Sequence, residues 1–303
     1  MLLFSGSSNK PLAEKLAEAL GTHLSPCEVF VFPDGERRVR VETNVLDQQV
    51  VIVQSTSTPV DTNYMELFFM VDSAKRSGAA TITVVMPYVG YQRQDHVFRE
   101  GEAVSLQVVI KMLESVGADR VIACDLHSIK IPEFFHVPLL HVSALSLFAD
   151  TIKNSDLDLS QAFLVSPDMG GIRRIKETSE MLGNMPYVAL VKNRDLATGS
   201  IETNEISGDQ ETIKKHAMIV DDMISSDKTI VEAAKLLKKH GVEQVDVFVT
   251  HAVFSQDAPK LLQESAVEHV YVTDSVFVPE ERRFPKLKIL SLSGHIAKVL
   301  EKR

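Results

Sequence analysis

The sequence predicts an α/β fold in two parts, each a mainly parallel sheet flanked by helices. Three observations carry that reading. Short Val- and Ile-rich runs such as Val50–Val53, Val121–Cys124 and Val245–Val249 are continuous rather than alternating, as strands covered on both faces require. Amphipathic stretches of helical period fall between them, in the order strand, polar turn, helix from end to end. The length of 303 residues, 45% of them hydrophobic, exceeds what one core usually holds and divides most naturally in two.

In chain order, Leu2–Phe4 is an apolar strand run and Leu12–Leu20 carries a helical stripe. Val29–Phe32 is the next strand. In Arg38–Glu42, Val39 and Val41 alternate with charges, so this segment reads as a half-exposed strand or hairpin, and Phe32-Pro33-Asp34-Gly35-Glu36 reads as the turn before it. Val50–Val53, the helix Met65–Ala74, Ile82–Met86, the helix Leu106–Val116 and Val121–Cys124 continue the pattern. Ala144–Ile152 reads as a helix, and the polar stretch Lys153–Gln161 is the candidate break. We place the boundary near Val142–Ala144, giving domains 1–143 and 144–303. The second half repeats the device with Phe163–Val165, helix Gly171–Leu182, Val188–Val191, Met218–Val220, helix Ile230–Lys239, Val245–Val249, helix Ala258–Ser265 and Val270–Val272. A last helix over about 293–303 is expected to pack back on the first domain.

Composition narrows the function classes. The net charge of −9 argues against a broad nucleic-acid surface, and no apolar run is long enough to cross a bilayer. The opening Met1–Gly6 lacks the basic and long apolar regions of a signal peptide. Cys27 and Cys124 lie in separate segments and imply neither a disulfide framework nor a zinc site, so a reducing cytoplasm is expected.

Open α/β sheets bind ligands beyond the carboxyl ends of their strands. The strongest such end is the strand Ala217–Asp221 with Asp222 and the loop Ser225-Ser226-Asp227-Lys228-Thr229, which opens a helix. Helix-start N–H groups and the Ser and Thr hydroxyls suit a phosphate monoester, while one of the two carboxylates can hydrogen-bond ribose hydroxyls. A second end, Ser166-Pro167-Asp168-Met169-Gly170-Gly171 followed by Arg173 and Arg174, lets backbone approach an anion and gives Asp168 a metal or sugar to hold. A third, Cys124-Asp125-Leu126-His127, offers a metal or phosphate contact. Arg93-Gln94-Asp95 lies in a polar loop that reads either as a lid over a nucleotide or as a solvated loop. Lys192-Asn193-Arg194 ends a strand with two cations on one face, the arrangement a phosphoryl transfer needs.

Together these residues, in this order and spacing, resemble the ribose-phosphate pyrophosphokinase family over nearly the whole chain, from Ser5-Gly6-Ser7 to the C-terminal helix. The Asp221-Asp222 end is shared with the wider phosphoribosyltransferases; Phe32–Glu36, Arg93–Asp95, Asp125–His127 with Phe134-Phe135, Ser166–Gly171 and Lys192–Arg194 are the specific additions. The resemblance implies two type-I phosphoribosyltransferase-like domains, the first on the ATP side. It implies transfer of the diphosphoryl group of Mg-ATP to the C1 hydroxyl of ribose 5-phosphate, giving phosphoribosyl pyrophosphate and AMP. Phe32, Asp34, Gly35 and Glu36 match the ATP-binding turn that acts in the neighbouring subunit's site, so at least a homodimer is implied. Arg93, Gln94 and Asp95 match ATP contacts, His127 and Asp168 match Mg²⁺ ligands, and Lys192 with Arg194 match the catalytic cations. Arg194, Asp221, Asp222 and Ser225, Ser226, Asp227, Lys228 and Thr229 match the ribose 5-phosphate contacts.

The chain departs from the family pattern in three places. Asp227-Lys228 replace the small residues of the family's phosphate loop, putting a carboxylate beside the phosphate. Lys130 and Glu133 replace its Gln and Gly. The lid Phe98–Ser105 resembles the shorter archaeal-type version and implies weak ADP inhibition. Two rival functions remain: a catalytically weak regulatory paralogue, motivated by the altered loop, and a phosphoribosyltransferase that consumes phosphoribosyl pyrophosphate.

Overall fold

Strands buried on both faces need helices above and below, and the observed element order supplies them. The computed structural model describes residues 1–194, 201–207, 212–225 and 228–302. From the start these are β1 (Leu2–Ser5), α1 (Lys10–Ala19), β2 (Cys27–Val31), β3 (Arg37–Val41), β4 (Gln49–Val53), α2 (Val60–Arg76), β5 (Thr81–Met86), α3 (Ser105–Ser115), β6 (Arg120–Cys124), β7 (Leu139–Val142) and α4 (Leu145–Lys153). There follow β8 (Ala162–Ser166), α5 (Ile172–Met181), β9 (Tyr187–Arg194), β10 (Ile201–Ser207), β11 (His216–Ile224), α6 (Lys228–Lys239), β12 (Gln244–Ala252), α7 (Ala258–Glu264), β13 (His269–Thr273), β14 (Leu287–Leu290) and α8 (Ser293–Glu301). The chain divides into two units, Met1–Ser143 with Ser275–Phe277 and Ser291–Arg303, and Ala144–Asp274 with Val278–Leu290.

In the first unit a parallel sheet runs β1-β4-β5-β6-β7. Its centre is Val50, Ile52, Ile82 and Val84, covered by Leu67, Met70, Val71 and Ala74, which share one face of α2 at helical spacing. Helix α1 starts where Asn9 accepts the Leu12 N–H, with Pro11 in the first turn, where its missing N–H costs nothing. Helix α8 packs against α1 and β7 of this same unit. Strands β2 and β3 leave the sheet and pair antiparallel as a separate hairpin. Val39 and Val41 turn toward the core, while Arg38 and Arg40 alternate outward.

In the second unit the order is β10-β9-β8-β11-β12-β13-β14, parallel except for β10 against β9. One face of this sheet packs Ile219, Val247 and Val249 against Ile230, Ala233 and Leu237 of α6. Elsewhere Phe148 of α4 meets Phe248, which stacks on Tyr271 at 4.5 Å.

Five strands differ from the sequence expectation. β7, β10 and β14 have no long apolar run: β10 reads Ile-Glu-Thr-Asn-Glu-Ile-Ser, and both it and β14 are sheet edges. An edge needs only partial cover, so the hydrophobic signal fades there. β9 runs to Arg194, its charged end paired with β10 rather than finishing at Val191. β11 continues to Ile224, so Asp221 and Asp222 lie within the strand rather than at its end.

Candidate active site

The hairpin turn of the first unit is closed by its own backbone: Phe32 N donates to Glu36 O at 2.8 Å and Gly35 N to Phe32 O at 2.9 Å. The Asp34 carboxylate accepts Glu36 N at 3.1 Å, an Asx turn, and Gly35 sits at φ +92°, where a side chain is strained. Phe32 meets Phe30 edge-on at 4.9 Å, and the Arg38 guanidinium lies over both rings. Phe30, Val31 and Phe32 are all exposed. Behind the turn, Arg37 reaches the fully buried Glu66, whose Oε1 also accepts Ser7 N and Gln54 Nε2 and whose Oε2 accepts Ser7 Oγ. This network ties the hairpin to the loop after β1.

The loops after β5 and β6 lie side by side, since those strands are neighbours. Tyr64 Oη donates to Gly90 O at 2.9 Å and Gly90 N to Thr56 Oγ1 at 2.7 Å, which fixes the loop's root. A Cβ on Gly90 would stand 2.5 Å from Thr56 O, so glycine is required by contact. Arg93 and Gln94 follow, exposed; Gln94 O accepts Leu106 N at 3.2 Å, closing the loop onto α3. Asp95 pairs with His96 at 2.6 Å. After β6, Asp125 is buried at φ +27° and lies 3.6 Å from His141 Nε2, whereas His127 is exposed. The His127 backbone N donates to Gln92 Oε1 at 3.0 Å, so Gln92 joins the two loops. Sequence reading missed Gln92 because nothing local distinguishes it from its neighbours.

In the second unit the paired carboxylates sit where β8 has stopped pairing with β11 but β12 continues, leaving one side of the strand open. Arg174 of α5 forks across both, Nη1 to Asp221 Oδ1 at 2.7 Å and Nη2 to Asp222 Oδ1 at 3.2 Å. Burial, and then the Asp222 charge, push the Asp221 carboxyl up to about 8, against the opposite pull of Arg174. Arg174 carried no role in the sequence reading; its neighbour Arg173 points outward and pairs with Glu177. Asp168 caps the short turn Met169–Gly171, accepting Gly171 N at 3.2 Å, and Ser166 Oγ donates to Asp168 O. A Cβ on Gly171 would lie 2.4 Å from Ser166 Oγ and 3.5 Å from Arg174 Nη1, so this glycine lets the Asp168 turn close against Arg174.

Lys192 and Arg194 lie in β9 opposite Thr203 and Ile201 of β10. Ser225 is held by Ser255, whose N and Oγ both donate to Ser225 O, while Lys228 and Thr229 open α6. Ser226 and Asp227 lie outside the described residues.

No group of three or more His, Cys, Asp or Glu converges into a metal cage among the described residues. Mg²⁺ commonly takes one or two carboxylates and fills the rest of its shell with substrate phosphates and water. An open donor set of this kind fits magnesium arriving with a nucleotide. No helix among the described residues is long and apolar enough to cross a membrane.

Two family models match the chain: the N-terminal domain of ribose phosphate pyrophosphokinase over residues 1–117, and the phosphoribosyl synthetase-associated domain over residues 203–302. A ribose-phosphate pyrophosphokinase of Fusobacterium nucleatum is 37% identical over 99% of this chain and 94% of its own. Ribose-phosphate pyrophosphokinase 2 of Enterococcus faecalis is 38% identical over 99% and 92%. The solved phosphoribosylpyrophosphate synthetase from Mycobacterium smegmatis matches with a TM-score of 0.91 at 32% identity, over 99% of this chain and 97% of that one. These relatives are bacterial and lend no support to an archaeal-type lid.

Proposed function

The chain belongs to the ribose-phosphate pyrophosphokinase family, and from that premise we propose how its residues divide the work. The enzyme moves the diphosphoryl group of ATP to the C1 hydroxyl of ribose 5-phosphate, giving phosphoribosyl pyrophosphate and AMP. The observation that carries this is likeness over 99% of the chain to relatives that carry that name.

On the ATP side, the rigid Asx turn Asp34–Glu36 with Phe32 grips nucleotide, and exposed Arg93 and Gln94 with the half-buried Asp95 complete the grip. The exposed Phe30–Phe32 ridge supports a hairpin that works in a neighbouring subunit, hence a homodimer or larger homo-oligomer. On the other side, Asp221 and Asp222 orient the ribose hydroxyls, and Ser225 through Thr229 receive the 5-phosphate at the start of α6. Lys192 and Arg194 stabilise charge on the transferring oxygens, so that the attacking hydroxyl meets a less repulsive phosphorus. His127 and Asp168 would each be ligands for Mg²⁺, which when bound would supply positive charge to the nucleotide phosphates. The archaeal-type comparison rests on the lid Phe98–Ser105 alone.

The test is phosphorus NMR of the purified chain with Mg-ATP and ribose 5-phosphate. AMP and phosphoribosyl pyrophosphate should accumulate together, and Lys192→Ala should slow both at least 100-fold, the scale of losing one positioned cation. Absence of AMP, with Lys192→Ala indistinguishable from the parent, overturns the reading.

A further inference from the structure

Gln92 is 1% exposed, and its two amide ends have different surroundings. Oε1 accepts the His127 backbone N–H at 3.0 Å. That donor settles the orientation of the amide, since a flipped group would set NH₂ against N–H. The nitrogen is thereby held on the other side, and Nε2 has no hydrogen-bond partner among the described residues. A buried amide nitrogen without an acceptor costs about 1–3 kcal/mol, so a group retained in this state normally meets an acceptor at some stage of function.

The position narrows which acceptor. Gln92 stands between Tyr91, held at φ +62°, and the exposed Arg93-Gln94 pair. It spans the loops that follow β5 and β6, at the carboxyl end of the first unit's sheet, where such folds take their ligands. The loop root is fixed by Tyr64, Gly90 and Thr56, and by the Tyr91 hydroxyl on Asp61, so the backbone that carries Gln92 is held, and its amide cannot swing to a different partner without losing the bond to His127 N. Arg93, one residue on, brings positive charge to the same loop.

We propose that Gln92 is a positioning and binding residue of the nucleotide side: its oxygen fixes the His127 loop and its nitrogen donates to an anionic phosphate oxygen. This rests on the proposed ATP role of the Arg93–Asp95 loop. The phosphate belongs to the nucleotide or to an inorganic phosphate bound in its place, and the two are distinguishable.

Two substitutions separate the ends of the amide. Gln92→Glu keeps the acceptor for His127 N but replaces the donor with a negative oxygen; Gln92→Met keeps volume and removes both. Titration calorimetry of the full chain with Mg²⁺ and the α,β-methylene analogue of ATP, whose bridge replaces the bond that would break, measures nucleotide affinity directly, and inorganic phosphate is titrated separately. Thermal melts confirm folding, and Gln92→Met carries the test alone if Gln92→Glu does not fold. Kd for the analogue should rise about tenfold in Gln92→Met, the loss of one hydrogen bond to a charged group, and further in Gln92→Glu. KM for ribose 5-phosphate should stay within twofold, which a merely structural role would not ensure. If phosphate affinity falls and analogue affinity does not, the donor serves inorganic phosphate. If neither changes more than twofold in folded variants, the proposal is overturned and the nitrogen is satisfied by buried water. Because analogue binding is read without turnover, a parent that makes no AMP would refute the reaction and leave the Gln92 result standing.

Discussion

Replacing Glu66 with Gln tests whether the Asp34–Glu36 turn is held by charge or by shape. Four donors converge on this fully buried carboxylate: Ser7 N at 2.6 Å and Gln54 Nε2 at 3.1 Å on Oε1, Ser7 Oγ at 2.8 Å and Arg37 Nη1 at 3.4 Å on Oε2. An amide must put its NH₂ at one of those two places. At Oε1 it would face two N–H groups, and Gln54 cannot rotate to help, since its own oxygen holds Ser8 N and Ser8 Oγ. At Oε2 it faces a hydroxyl that can turn to accept and an arginine whose side chain is 22% exposed and can swing toward water. The amide therefore takes the second place and gives up Arg37 alone, at about 1.5–3 kcal/mol for hydrogen bonding to a charged group. Glu66→Ala instead strands Ser7 N, leaves Gln54 Nε2 only its long bond to Asn63 O at 3.4 Å, and opens a cavity, about 4 kcal/mol or more. At about 2–4 °C per kcal/mol for a unit of this size, the melting temperature should fall by about 3–12 °C for Gln and by about 8–16 °C or more for Ala. Far-ultraviolet circular dichroism during thermal and urea unfolding reads both. Since Arg37 directly follows Glu36, Glu66→Gln should also raise KM for ATP and leave KM for ribose 5-phosphate alone. Equal losses in the Gln and Ala variants would refute the reasoning, because packing rather than donor satisfaction would then set the cost.

Asp221 supplies a pH prediction. Its folded pKa of about 8 lies above its ordinary value near 3.8, so between those values the native chain keeps a proton that the unfolded chain has released. The stability it contributes is complete below about pH 4 and is lost as pH rises toward 8. Melting temperature in the absence of substrate should therefore decline across that window, and Asp221→Asn should flatten the decline; a profile unchanged by the substitution would count against the assignment. Cys27 gives the other. Burial, then Glu66 and Glu42, push its thiol up to about 11, so alkylation by iodoacetamide at pH 8 should run on the order of 100-fold slower than for a free thiol. Peptide mass spectrometry reads the rate, and labelling as fast as free cysteine would contradict it.

The residues legible in the sequence are those whose evidence is local. Val50–Val53 and Val245–Val249 announce strands because a parallel sheet buries both faces, and the Asp34-Gly35 turn announces itself because its hydrogen bonds stay within five residues. β10 and β14 escaped because an edge strand need not be apolar, and the full length of β11 escaped because its last turns of ladder pair with β12 only. Polar residues that act through distant partners were the least visible. Arg174 and Arg173 are neighbours of one kind, yet Arg174 reaches Asp221, 47 residues away, while Arg173 reaches Glu177 on its own helix. Which of them faces inward is decided by helical phase: Gly171, Ile175 and Thr178 are buried and Arg174 lies on their side. That placement has a chemical consequence the carboxylate pair alone does not reveal. Two adjacent carboxylates, one buried and one half-buried, repel, and one cation forked across both lowers their joint cost while leaving one negative charge uncompensated. Burial, and then that uncompensated charge, hold a proton on Asp221. Ribose hydroxyls, by donating to the same oxygens, would favour releasing that proton. Binding of ribose 5-phosphate should thus strengthen as pH rises toward 8, over the same window in which the empty protein loses stability.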